Sequence, residues 1–323
     1  MPDDTFDLPA SAETFLDYLK SRGRKESTIR RYRYDLADFF RYIDVVTGSV
    51  SFPASTDPQR IEGYFSLLEK NRHYQIRTLK RIQTVLKQYF SFLRGAGLLS
   101  YHPMASLDLE ESIWDEITSH DILHRLEEKK LKTSLLSDAG LSEKQATARP
   151  LLAPRNLVII RWFLHYGLRL QELSCLQMEH LNEGRGLIHI PENTGNPRSI
   201  FLSRDDQSLL YHYLHGIPKA VRPYMKHHPI FAAFDFQRQT YRWSYEQDRP
   251  KNLTEIAIQK MIREERKRAG IERAVSAKHL RNTFIIRALQ DGMSPKRLKE
   301  KLGLNSILTL NKYIAYVHRN ESR

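Results

Sequence analysis

Apolar residues recur at spacings of three and four along two stretches of this chain. One carries Ile29, Tyr32, Leu36, Phe39, Phe40 and Ile43, the other Leu79, Ile82, Val85, Leu86, Tyr89, Phe90 and Leu93. Only an α-helix gathers such a series on one face, and a stripe this wide has to be buried against neighbouring helices. The opposite faces carry Arg30, Arg31 and Arg33 in the first stretch and Lys80, Arg81 and Lys87 in the second, with Arg24, Lys25 and Arg77 just ahead of them. A shorter amphipathic run from Ser11 ends near Gly23, and Ile61–Leu68 supplies a further helix. Gly95-Ala-Gly-Leu-Leu and His102-Pro103 then stop the pattern. A four-helix domain over residues 10–103 is therefore expected, behind a loose polar arm at 1–9 and interrupted by a Ser/Pro-rich loop at 47–57.

The basic faces belong to a basic protein. Over 323 residues, 51 Lys and Arg face 38 Asp and Glu, a net charge of +13. Such an excess points to a polyanionic partner, with nucleic acid ahead of an anionic membrane. Apolar residues make up 41% of the chain, which excludes wholesale disorder. A single cysteine, Cys175, excludes a disulfide framework and a Cys-rich zinc site, and its apolar surroundings read as core packing. No metal or cofactor is expected. The acidic start Met1-Pro-Asp-Asp-Thr lacks an apolar signal-peptide core, and no apolar run reaches the roughly eighteen residues of a membrane span. A cytoplasmic setting follows as the expectation.

Beyond Pro103 the pattern changes. Residues 104–150 combine a capped helical stretch at Ile122–Leu131 with a weakly patterned polar run over Lys132–Pro150, read as an exposed linker insertion. Residues 151–323 read as a second, mixed domain. Pro154–Leu176 is strongly apolar and helical, broken at Gly167. Leu187-Ile-His-Ile190 and Ser199-Ile-Phe-Leu202 flank Asn193-Thr-Gly-Asn-Pro197, a β-hairpin signal. The Phe-, Tyr- and Gln-rich stretch 227–249 has no clear period. Helices are expected over Leu253–Ala269, from after Val275 to Leu289, over Pro295–Leu302 and over roughly Ser306–Arg319.

Candidate chemistry sits in this second domain. Lys278 and Arg281 lie three apart on one helical face, in Ser276-Ala-Lys-His-Leu-Arg-Asn-Thr-Phe284, and can hold one phosphate between them. Arg169 and Glu172 stand in Gly167-Leu-Arg-Leu-Gln-Glu-Leu173, and Leu302-Gly303-Leu304 precedes Tyr313. Each signal alone has an ordinary structural explanation. Arg169, Lys278 and Arg281 could be solvated cations, and Tyr313 lies in a Leu310, Ile314, Val317 pattern typical of core. In conjunction, these motifs resemble in order and spacing the catalytic domain of the tyrosine recombinase (phage integrase) family. The basic four-helix unit is similar to that family's N-terminal core-binding, SAM-like domain. The resemblance spans nearly the whole chain outside 104–150.

The resemblance implies a mainly α protein with a small β-hairpin sheet in a mixed α/β catalytic domain. It implies cutting and rejoining of double-stranded DNA at a specific site through a 3′-phosphotyrosyl link, in a bacterial, phage or mobile-element setting, with self-association from dimer to tetramer on DNA. Arg169, Lys278 and Arg281 would clamp the phosphate, Glu172 would orient the clamp, and Tyr313 would attack. The basic positions Arg24, Lys25, Arg30, Arg31, Arg33, Arg77, Lys80, Arg81 and Lys87 would contact DNA. Two positions depart from the family pattern. Thr194 stands where a hairpin-tip lysine acts as general acid, and Leu304 stands where His or Trp follows Leu-Gly. Arg198 could substitute for that lysine only in part, because an arginine is a poor proton donor. Asn282 replaces a common His after Arg281. Two readings result: an active recombinase, preferred because clamp and nucleophile are retained, or a degenerate relative acting as a sequence-specific repressor or architectural factor.

Overall fold

A computed structural model describes residues 7–50, 55–105, 107 and 116–321 and divides the chain into two units, Met1–Trp114 and Asp115–Arg323. Among the described residues the first unit holds four α-helices, α1 (Ala10–Ser21), α2 (Glu26–Thr47), α3 (Pro58–Ser66), which runs on into a π-helical turn at Leu67–Asn71, and α4 (Ile76–Gly95). Asp57 starts α3 by accepting from the Gln59 N–H at 3.0 Å, ahead of a proline whose missing N–H is no loss in the first turn. The two sequence stripes meet inside. Phe39 packs edge-on against Tyr64 and Phe90, and Phe15 and Phe40 pack edge-on against Tyr89. The arm at 1–9 and the loop at 47–57 lie partly outside the described residues.

One polar pair is driven into this core. Asp35 is 6% exposed and accepts a close hydrogen bond from Arg81, with Arg31 at 3.9 Å. Burial raises the Asp35 pKa while the Arg81 guanidinium works to lower it. Arg33 is likewise engaged, by both oxygens of Glu13 at 2.5 Å.

The second unit is built around α6 (Glu143–Tyr166), which packs its apolar length against α8 (Arg204–Gly216) and α10 (Ala277–Gln290). Val158, Ile159, Trp162 and Phe163 are fully buried there. Between them in sequence lie α7 (Leu170–Ser174) and an antiparallel sheet of β1 (Leu181–Asn182), β2 (Leu187–Ile190) and β3 (Arg198–Phe201), in the order 1-2-3. The hairpin register pairs Ile188 with Ile200 and Ile190 with Arg198, which turns all three isoleucines inward. The stretch without clear period contains two small hairpins, β4–β5 (Phe234–Asp235 with Thr240–Tyr241) and β6–β7 (Trp243–Ser244 with Arg249–Pro250). Then come α9 (Glu255–Arg268), α10, α11 (Pro295–Leu302) and α12 (Asn311–Glu321). Cys175 is half-buried just past α7. Among the described residues no helix is long and apolar enough to cross a membrane.

The expected exposed linker is not there. Helix α5 (Arg125–Leu136) buries Leu131 and Leu135, and α6 begins at Glu143, capped by Ser142, well ahead of Pro154. The reason is an ion cluster invisible to local patterning. Arg149, 7% exposed, donates to Glu265 Oε1 at 2.8 Å and to the Ser134 carbonyl at 2.6 Å. Glu265, 5% exposed, also accepts from Arg268 at 2.6 Å and from the Ser134 hydroxyl at 3.0 Å. Residues 134–149 are thereby fastened to α9. Removing one member of a buried pair leaves the other charge uncompensated, so Glu265→Ala is expected to cost about 3–5 kcal/mol in urea unfolding. Limited proteolysis should spare 132–150 in the native protein and open it in that variant; ready cleavage there in the native protein would contradict this packing.

Candidate phosphodiester site

The site assembles where α6 ends. Gly167 closes that helix with φ +61°, a left-handed turn, and a side chain there would collide with Phe284 and Leu302. Glycine is required both for the turn and for the close approach of α10 and α11. The reversal places Arg169 at the start of α7, where its backbone N–H donates to Glu172 Oε2 at 2.7 Å. Its guanidinium donates to Glu172 Oε1 at 2.5 Å and to the carbonyls of Leu302 and Gly303 at 3.2 and 3.1 Å.

Glu172 is fully buried and receives a second guanidinium. Arg198, at the start of β3, donates to both carboxylate oxygens at 2.8 Å, while its Nε donates to the Lys301 carbonyl at 2.9 Å. Burial alone would push the Glu172 pKa up, but the Arg198 and Arg169 hydrogen bonds overcome it and hold it below the usual carboxylate value. Gly303, at φ +57°, lets this happen: a Cβ there would lie 2.9 Å from an Arg198 Nη.

Arg281, on α10, donates to the Gly167 carbonyl. Burial, together with the like charge of Arg169, lowers its pKa to about 10, so it remains a cation at neutral pH. Two guanidiniums thus share one carboxylate, and the buried Arg281 adds a third positive charge near them, which leaves a partly desolvated positive site. That is an anion receptor. Lys278 stands exposed in the first turn of the same helix, three residues before Arg281.

Tyr313 reaches the same region from α12. Its ring is 7% exposed among Phe284, Leu302 and Leu310, and its hydroxyl donates to Asn282 Oδ1 at 2.8 Å. Asn282 is itself buried and donates through Nδ2 to the Asp121 carbonyl at 2.9 Å, which fixes the amide so that its oxygen faces the phenol. The hairpin tip also lies against the clamp, since a Cβ on Gly195 would fall 3.6 Å from an Arg169 Nη and 3.8 Å from Glu172 Oε1. Thr194 beside it is buried, with its hydroxyl donating to the Pro191 carbonyl at 3.0 Å. Leu304 is half-buried against the α12 core.

The structure therefore brings Arg169, Glu172, Arg281 and Tyr313 onto meeting elements, and adds two residues whose roles the sequence pattern does not show. From sequence, Arg198 is only a poor proton donor and Asn282 only a substitution for His. A signal for Asn282 exists, because a lone amide within Leu280–Ile286 on a buried face must find hydrogen-bond partners.

Residues 144–321 match the phage integrase family model, and residues 12–97 match the family's N-terminal SAM-like domain. The chain belongs to the phage integrase family. Tyrosine recombinase XerD of Listeria monocytogenes is 26% identical over 303 residues, covering 93% of this chain and 92% of that protein. Tyrosine recombinase XerC of Lactobacillus delbrueckii subsp. bulgaricus is 25% identical over 304 residues, with 93% and 92% covered. The phage integrase fold is also shared with a XerH site-specific recombinase bound to a palindromic difH substrate (TM-score 0.69, 18% identity, 97% and 84% covered). The Tn1549 transposon integrase in complex with a circular intermediate DNA gives a TM-score of 0.66 at 16% identity, with 97% and 98% covered.

In this integrase-family site the Glu172 charge is what holds two arginines together. A carboxyl whose folded pKa is lowered contributes stability above its unfolded value of 4.5, and that contribution fades as pH falls through the folded value. The stability gap between the native protein and Glu172→Gln, measured by urea unfolding, should be widest near pH 7 and narrow steadily below pH 4.5. A gap that does not change with pH would mean that packing, not charge, sets it.

Proposed function

We propose that this protein is a tyrosine-type site-specific recombinase acting on double-stranded DNA. The observation that carries the reading is the cluster of Arg169, Arg198 and Arg281 around a single carboxylate, next to a tyrosine hydroxyl delivered from another helix. Arg169 and Arg281 hold the non-bridging oxygens of the scissile phosphate. The Tyr313 oxygen attacks phosphorus, the bond to the 5′-oxygen breaks, and a 3′-phosphotyrosyl link conserves the bond for rejoining. The phenol loses its proton and the departing 5′-oxygen gains one. Lys278 is the proton-bearing side chain supplied by the clamp helix, whereas Thr194 is engaged with Pro191. The reaction needs no metal or organic cofactor. Function as a repressor without cleavage is the less favoured alternative, since the relatives are named recombinases.

The exposed cations Arg24, Lys25, Arg30, Arg31 and Arg77, with half-buried Lys80 and Lys87, supply the phosphate contacts of the first unit. Arg81 is tied to Asp35, so its charge reversal tests the fold and not DNA binding. Arg33 is paired with Glu13 and can add to binding only by leaving it. The protein self-associates on its DNA site and works in the cytoplasm.

The deciding experiment is incubation with nicked suicide duplexes carrying the protein's own site. The native protein is expected to form a covalent adduct and Tyr313→Phe none, with DNA affinity unchanged and the melting temperature lowered by a few degrees, because the buried Asn282 Oδ1 loses the phenol's hydrogen bond. No adduct from the native protein on a verified site would overturn the enzyme reading; an adduct from the Phe variant would move the nucleophile. Arg281→Ala should slow cleavage on the order of 10²–10³-fold, the range for removing one transition-state donor. Thr194→Lys should speed cleavage without changing affinity.

Binding itself should weaken steeply with salt, as counterions are displaced from the phosphates. Reversing Arg30, which lies off the Asp35 contact that Arg31 shares, should flatten the slope of log affinity against log salt, by roughly one unit for each phosphate no longer neutralised. An unchanged slope would remove that helix face from the interface.

A further inference from the structure

A second site lies in the C-terminal unit, on the opposite end of α6 from Gly167. A cavity of about 510 Å³ opens between the first half of α6, the β4–β5 hairpin and α9. That volume falls in the range of roughly 300–1,000 Å³ typical of small-molecule sites. Leu152, Phe234, Leu253 and Met261, all nearly buried, make its apolar wall. Arg155 and Asn156 make its polar one.

Arg155 is the unusual member. It is 5% exposed, and no carboxylate among the described residues pairs with it. Its guanidinium donates to the Ala232 carbonyl at 2.8 Å and to Asn156 Oδ1 at 3.2 and 3.1 Å, which uses only part of its donor set. Buried cations are ordinarily paired, because stripping water from them is costly. The carboxylates on the wall do not answer this charge. Glu265 is already divided between Arg149 and Arg268, and Glu264 stands 3.8 Å from Lys260. Lys251 adds positive charge at an exposed position on the rim, where Arg242 stands 3.8 Å from Asp235.

We infer that this cavity binds a small amphipathic anion, its acidic group against Arg155 and its apolar body against Leu152, Phe234, Leu253 and Met261. The site is separate from the phosphodiester site and independent of the recombinase reading.

The probe is 1-anilinonaphthalene-8-sulfonate, a compact aromatic anion whose fluorescence rises in apolar surroundings, titrated into the full-length protein without DNA. One saturable site is expected, at least tenfold tighter than for N-phenyl-1-naphthylamine, which has the same rings and no sulfonate. Arg155→Met should weaken sulfonate binding tenfold or more and leave the neutral probe unaffected. Met261→Trp, which fills the cavity and keeps every charge, should abolish both. If Arg155→Met fails to fold, the neutral probe and Met261→Trp still decide. Equal affinity for the two probes would overturn the anion assignment. Sulfonate binding that survives Met261→Trp, or that never saturates, would place it on the general basic surface and overturn the site.

Discussion

The site depends on one buried carboxylate. Glu172 has no exposure to solvent, yet it stays ionised because two guanidinium forks complete its hydrogen bonds from opposite sides. Those forks come from elements that sequence separates, Arg169 from the turn after α6 and Arg198 from the hairpin. Both arginines then reach on to backbone carbonyls at the end of α11. One negative charge thus ties α7, β3 and the Gly303 turn into a single rigid wall. It also offsets the repulsion that three clustered guanidiniums would otherwise exert, without cancelling it. The remaining positive charge is what an incoming phosphate would meet.

Glycine geometry decides how closely the wall can be built. Gly167 and Gly303 each adopt left-handed backbone and each face a neighbour where a β-carbon would intrude: Phe284 and Leu302 in one case, Arg198 in the other. The two turns draw α6, α10 and α11 within a side chain of each other. The same packing buries the Tyr313 ring, so the catalytic and core readings of that tyrosine are not exclusive. The ring belongs to the core, and the hydroxyl alone is presented to Asn282.

Elements whose signals are local were legible in the sequence. The four helices of the first unit follow from the apolar period, although the Ser27–Thr28 turn expected to cap the second lies inside it, and the β2–β3 hairpin follows from alternation around Asn193–Pro197. What escaped were contacts across long separations. Residues 132–150 look polar because Arg149 and Ser134 find their partner in Glu265, more than a hundred residues away. The segment before them is equally integral. Leu123 donates its N–H to Thr283 and Asp121 offers its carbonyl to Asn282, so a stretch read as a join in fact holds the partner of the Tyr313 hydroxyl. Arg81 shows the converse error. Its face looks solvated, but Asp35 beside the Leu36 stripe was the sign that one cation would be drawn inward.

Of the two departures from the family pattern, Thr194 falls on proton transfer, and Leu304 falls where the family's His or Trp would bond the phosphate or buttress the tyrosine. Arg169 and Arg281, which would hold phosphate oxygens on the recombinase reading, are both anchored to backbone carbonyls, while the hairpin tip offers a threonine whose hydroxyl closes its own turn. The Tyr313–Asn282 contact has the same consequence at the other end of the reaction. Asn282 can accept a hydrogen bond from the phenol, but an amide oxygen is far too weak a base to take its proton. On the proposed reading, the tyrosine is therefore stored buried, its hydroxyl a hydrogen-bond donor to Asn282. It must leave Asn282 before or as it attacks, and give its proton to a different acceptor. The clamp alone therefore does not complete the chemistry, since the group that takes the phenolic proton has to come from elsewhere than Asn282.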